Sequence, residues 1–150
     1  MKTPFFQVVE SFVLAGAIVT IGPGCTESAT NRDGTVSETA AAVVTSDGGG
    51  YLIAVHSGPD AVPSRGVNTL RLDVTRLSDG EPATGLQLDV VPWMPAHGHG
   101  TSVKPAVAPG EEPGSYVVTN VNLFMAGLWE IRTTIDGLTR DHAAPRFDIP

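Results

Sequence analysis

The 150-residue chain carries 9 Lys and Arg against 16 Asp and Glu, for a net charge of −7 and a pI near 4.8. Its basic residues are scattered, which excludes nucleic-acid binding, since phosphate contacts need clustered Lys and Arg. Seventeen Gly, 12 Pro and only 17% charged residues point to one turn-rich β domain, and a single Cys excludes an intrachain disulfide.

The N-terminus reads as an export signal over residues 1–24. Lys2 supplies a minimal positive region, and Phe12 to Ile21 form a short apolar core. Gly22-Pro23-Gly24 places small residues before Cys25, the pattern of a bacterial lipoprotein signal. Cys25 would then be lipidated, anchoring the mature chain to a membrane and facing the periplasm or the exterior. An uncleaved anchor is the alternative, as is an ordinary signal peptide. A spanning helix needs roughly 20 apolar residues, and Gln7 and Glu10 interrupt any such window.

Residues 25–49 are rich in Thr, Ser, Ala, Asp and Gly and contain no aromatic residue. So little apolar area cannot offset the entropy of ordering, so this stretch is expected to be a flexible tether. At most, a helical turn is expected over Glu38 to Val44. Residues 50–150 form the expected folded domain.

From Tyr51 onward, β-forming runs alternate with turn residues. The first strand is Tyr51 to His56, with Ile53 and Val55 inward and His56 on the solvated face. Asn68 to Thr75 alternates, with Leu70, Leu72 and Val74 sharing one face. After the turn Ser78 to Pro82, Leu86 to Val90 alternates again. A short edge strand is expected over 101–107, and strands over 115–123, 129–135 and 146–149. The Glu111-Glu112 pair falls in a solvated turn. With no sustained 3.6-residue apolar period after residue 50, the expected fold is an antiparallel, immunoglobulin-like β-sandwich of about seven strands.

Met94, His97 and His99 lie within six residues of one another, in the run Pro92-Trp93-Met94-Pro95-Ala96-His97-Gly98-His99-Gly100. Imidazole with thioether sulfur suits copper, above all Cu(I). Met125 would complete two imidazoles and two thioethers if its loop meets this one. Zinc is less suited, because thioether is a poor ligand for it and no third His or Cys lies nearby in the sequence. A structural role competes at each position. Met94 continues the inward phase of Leu86, Leu88 and Val90, and Met125 is placed to fill a gap beside Trp129. His97 would bond backbone groups and His99 would be solvated. His56 and His142 have no motif around them.

Met94-Pro-Ala-His97-Gly-His99, followed by Tyr116 and then Met125-Ala-Gly127-Leu-Trp129, resembles the YtkA-like/FixH-like group of exported bacterial domains. Their usual pattern is Met-Pro-x-(Met/His)-x-His, then Tyr, then Met-x-Gly-x-Trp. The resemblance covers roughly residues 50–149 and implies an immunoglobulin-like sandwich. For some members it also implies copper handling or assembly of haem–copper oxidases.

No nucleophile, phosphate-loop or zinc-protease motif is present in the sequence, so a binding domain is expected and not an enzyme. The leading reading is a membrane-tethered envelope domain that binds copper through Met94, His97, His99 and Met125. Its rival is a metal-free interaction module that docks another envelope protein. A pH-sensitive His pair is a third reading, with nothing in the sequence to favour it.

Overall fold

Alternation of apolar and polar residues sorts the chain into two faces, and the strands follow it. The computed structural model describes residues 36–150. The expected signal peptide at 1–24, Cys25 and the first part of the tether lie outside these described residues. Among the described residues there are ten strands and no helix. They are β1 (Ala42–Thr45), β2 (Tyr51–Gly58), β3 (Gly66–Arg76), β4 (Gln87–Met94), β5 (His99–Gly100), β6 (Ala106–Pro109), β7 (Ser115–Leu123), β8 (Gly127–Asp136), β9 (Arg140–Ala143) and β10 (Arg146–Ile149).

The strands make two antiparallel five-stranded sheets. One runs β1-β2-β3-β7-β6 and the other β10-β8-β4-β5, with β9 also paired to β8. The all-β sandwich expected from the sequence is the fold observed, with ten strands in place of about seven. The additional strands are short ones, such as β1, β5 and β9. The edge strand expected over 101–107 forms instead as β6, at Ala106–Pro109.

The core lies where the inward faces meet. Ile53, Val55, Leu70, Leu72 and Val118 come from the first sheet, and Val90, Met94, Trp129, Ile131 and Ile135 from the second, all essentially inaccessible to water. Tyr116 ties the 83–86 loop to this core. Its hydroxyl donates to the Ala83 carbonyl at 2.7 Å and accepts from the Leu86 amide at 3.0 Å.

Two local devices bend the ladders without breaking them. Asn120 adopts φ 62° where β7 gains one residue relative to β3 between Asn68 and Leu70, a β-bulge that Asn tolerates better than most residues. Pro92 sits inside β4 opposite Ile131. The Ile131 amide donates the other way, to the Pro145 carbonyl. The Pro92–Ile131 pair is therefore non-hydrogen-bonded, and the missing proline N–H costs no ladder bond.

The tether expected over 25–49 is corrected where the structure describes it. No helical turn forms over Glu38 to Val44. Instead β1 pairs with β2 from Ala42↔Val55 to Thr45↔Leu52. The Ala41 and Ser37 amides donate to the Val55 and Ser57 carbonyls, which carries the contact back to residue 37. The segment lacks apolar bulk but meets an edge strand whose backbone groups need partners.

That segment also corrects the placement of His56. Its residue falls on the outer face of the sheet, as the alternation requires, yet it is only 7% exposed. Nδ1 lies 3.0 Å from the Ser37 carbonyl and Nε2 lies 3.1 Å from the Asp73 carboxylate. Arg71 joins this group through Asp73 at 3.2 Å and Glu38 at 3.6 Å.

Asp141 of β9 closes the edge between the two sheets. It accepts from Ser46 Oγ at 2.6 Å and from the amides of Gly48, His142 and Gly50 at 2.7, 2.8 and 3.2 Å. Burial pushes its pKa up, but the hydrogen bonds from Ser46, Gly48, His142 and Gly50 outweigh burial and bring it from 3.8 down to about 2. A carboxyl whose pKa is lower folded than unfolded stabilises the fold above the unfolded value, and that contribution disappears as pH falls through the folded one. Asp141→Asn is therefore expected to lower stability near pH 7 by on the order of 2 kcal/mol. It should also flatten the loss of stability between about pH 4 and about pH 2, measured by chemical denaturation across that range. An unchanged acid limb in the variant would show that Asp141 does not set it.

Candidate metal-binding site

The site is built on the β4–β5 hairpin. Met94 and His99 are direct cross-strand partners, and Trp93 pairs with Gly100. The four residues between them form a tight loop in which the amides of His97 and Gly98 both bond the Met94 carbonyl, at 3.2 and 2.9 Å. Pro95 suits the fixed φ of the first loop position. Gly98 has φ 67°, a conformation that side-chain-bearing residues resist. The Pro and Gly of the motif thus shape a loop that presents His97 at its apex and His99 at the start of the returning strand.

Cross-strand partners share a face, so His99 and Met94 project from the same side of the hairpin. The two imidazoles lie with ring centroids 5.6 Å apart, tilted by 43°. His97 is exposed and His99 half-buried. His99 Nδ1 lies 3.1 Å from the Gly100 carbonyl. A carbonyl can only accept, so Nδ1 carries the hydrogen and, in the neutral ring, Nε2 keeps a free lone pair.

The second loop, between β7 and β8, meets this hairpin. Phe124 stacks on His99 with centroids 6.0 Å apart and ring planes within 19°. It also packs edge-on to Trp129 at 5.6 Å. Met125 follows, half-buried against the core. Trp129 is fully buried, and its indole Nε1–H donates to the Met125 carbonyl at 2.9 Å. Gly127, at φ 122°, leaves room for the Met94 methyl, which lies 3.0 Å from where a Cβ would stand.

The structure therefore brings His97 and His99 together and sets the loop that carries Met125 beside them. Met94 shares that face with His99 but is 1% exposed and belongs to the core cluster, so its thioether is covered by its core neighbours. Among the described residues, no three His, Cys, Asp or Glu side chains gather into a metal-ligating group. An ion here would be held by two imidazoles, with thioether sulfur as the further donor. That set fits soft Cu(I) and suits zinc poorly. Cys25 lies outside the described residues. His56 is buried far from this loop in sequence, and His142 is exposed, with Thr134 Oγ1 3.4 Å from its Nδ1.

Several contacts around the site gave no signal in the sequence. Phe124 reads as one more apolar residue at a strand end, and only the fold sets it against His99. Trp93 lies on the outer face, where the Arg132 guanidinium sits 4.7 Å from its ring. Glu130, the cross-strand partner of Trp93, is bound by Arg132 and Arg146 at 2.9 and 2.8 Å. The hydrogen bond from Arg132 leads in holding its carboxyl below the ordinary range, with Arg146 adding to it against the opposing effect of burial.

A family model described as YtkA-like matches residues 45–134, more than half of the chain. No curated protein and no solved structure matches. The matched region holds the whole of the hairpin and the 124–129 loop.

Gly127→Ala should test the seam between these loops. A methyl there meets the Met94 methyl and an unfavourable φ, so a loss of about 1–3 kcal/mol is expected in urea denaturation. Combining it with Met94→Ala should recover part of that loss, and simple additivity would show that the two residues are not in contact.

Proposed function

The chain belongs to the YtkA-like family, and from that premise we propose an exported, membrane-tethered domain that binds copper and presents or buffers it in the cell envelope. His97 and His99 are the imidazole donors. Met125 and Met94 are the soft donors that favour Cu(I). The observation that carries this reading is the His97–His99 pair, 5.6 Å apart on a loop built to display it, with His99 Nδ1 bonded and Nε2 left free. Ligating imidazoles are commonly oriented in this way, by a hydrogen bond from the other ring nitrogen to a carbonyl or carboxylate.

The donors differ in how they would enter the site. His97 is exposed and accessible to an ion from solvent. Met94 would have to free its thioether from the core, whereas Met125 starts half-buried in the adjacent loop. Met125 is thus the nearer sulfur donor to the surface. Cys25 supplies the lipid anchor in this reading, and the acidic surface helps hold the domain off anionic headgroups. The domain acts by binding and not by catalysis.

Purified protein titrated with Cu(I) against a calibrated chelator should bind one equivalent. His97→Ala/His99→Ala should abolish that binding with the melting temperature unchanged, and Met125→Leu should weaken Cu(I) more than it weakens Cu(II). Trp129, bonded to the Met125 carbonyl, provides a second readout through fluorescence quenching by Cu(II). If the wild-type protein holds no copper above the chelator background, the loop is a recognition surface for another envelope protein.

A further inference from the structure

Burial does not account for the place of Phe124 beside the site. It leaves 39% of its surface in water, so it contributes less to the core than a phenylalanine usually does. Its ring contacts are instead the His99 imidazole, stacked on it, and Trp129, packed edge-to-face with it. Its backbone is fixed as well. Arg65, from the loop between β2 and β3, donates Nε–H to the Phe124 carbonyl at 3.1 Å. The next carbonyl, that of Met125, takes the Trp129 indole hydrogen. Two successive carbonyls of one short loop are thus held by side chains from elsewhere in the fold.

We propose that Phe124, clamped through its carbonyl by Arg65, is the positioning residue for His99, holding the imidazole so that Nδ1 stays on the Gly100 carbonyl and Nε2 faces outward. Three contacts define the ring. The Cβ is set by the cross-strand pair with Met94, and the rotation about χ2 by the stack on Phe124 together with the Nδ1 hydrogen bond. Without the stack, that single hydrogen bond is left to resist turning about χ2, which is a soft torsion for histidine. Turning breaks the 3.1 Å bond to Gly100 and mixes the two tautomers. The proposal rests on the copper reading for its purpose, but the ring's orientation is a property of the metal-free protein.

The test uses full-length protein in mild detergent. Long-range 1H–15N correlation of the metal-free imidazoles reports the His99 tautomer, and competition with a calibrated chelator reports Cu(I) affinity. The wild type should show a single His99 tautomer with hydrogen on Nδ1. Phe124→Leu should mix the tautomers and weaken Cu(I) about tenfold, as loss of an orienting partner does, and Phe124→Tyr should restore both. Arg65→Ala should act in the same direction by a smaller factor. Melting temperatures within a few degrees of wild type identify these as local effects. A Phe124→Leu protein that keeps one tautomer and full affinity overturns the proposal, as does failure of Phe124→Tyr to restore the tautomer. If the wild type binds no Cu(I), the copper reading falls, and the tautomer comparison alone decides whether Phe124 positions His99.

Discussion

A buried indole must find an acceptor for its N–H, and in this protein that requirement joins the core to the site. Trp129 is fully buried among the inward residues of both sheets. Leaving its Nε1–H unpaired would cost about 1–3 kcal/mol, and the Met125 carbonyl satisfies it. The bond fixes the loop after β7 from beneath, while Arg65 fixes it from the surface. With the loop held, Phe124 stands against His99 and Gly127 makes room for Met94. The Met-x-Gly-x-Trp spacing has a physical meaning: a carbonyl to accept, a gap to pack against, and an indole to donate.

The same economy appears at the margins of the sandwich. Asp141 collects a hydroxyl and three amides, so the Ser46–Gly50 turn of one sheet is stitched to β9 of the other. His56, between the Ser37 carbonyl and Asp73, secures the segment that leads into β1. Both are buried polar groups whose value lies in being fully partnered, since the same groups unpaired would be costly. The edge at β1 is thereby tied down along residues that look too polar to fold.

The outer face of the second sheet is arranged differently. Glu130 is buried beneath two arginines, and one of these lies across Trp93. This group braces the strand that enters the hairpin, because Trp93 immediately precedes Met94. The hairpin is therefore supported from the core through Met94 and from outside through Trp93, while its apex, with His97, stays open to solvent.

Much of the fold could be read directly from the chain. Alternation at Leu70-Leu72-Val74 and at Trp129-Ile131 assigns inward faces, because side chains on a strand alternate with a period of two and one face must leave water. The Pro and Gly residues around Met94 and His99 mark a tight loop for equally local reasons. What the sequence could not determine were contacts between segments far apart in the chain. Arg140-Asp-His-Ala143 has no apolar pattern, and becomes a strand because β8 offers it an unpaired edge. Residues 36–45 lack aromatic residues and are ordered by β2, not by their own composition. His56 has the phase of a solvated residue and is buried because another segment crosses it. The proximity of Phe124 to His99 is of this kind too: 25 positions separate them, and only the packing of β4–β5 against the β7–β8 loop sets their rings 6.0 Å apart. Periodicity and turn chemistry are properties of neighbours in sequence, so the chain alone determined the sandwich and the candidate donors. Hydrogen-bond satisfaction and close packing are properties of neighbours in space, so only the tertiary structure decided which donors meet and what holds them.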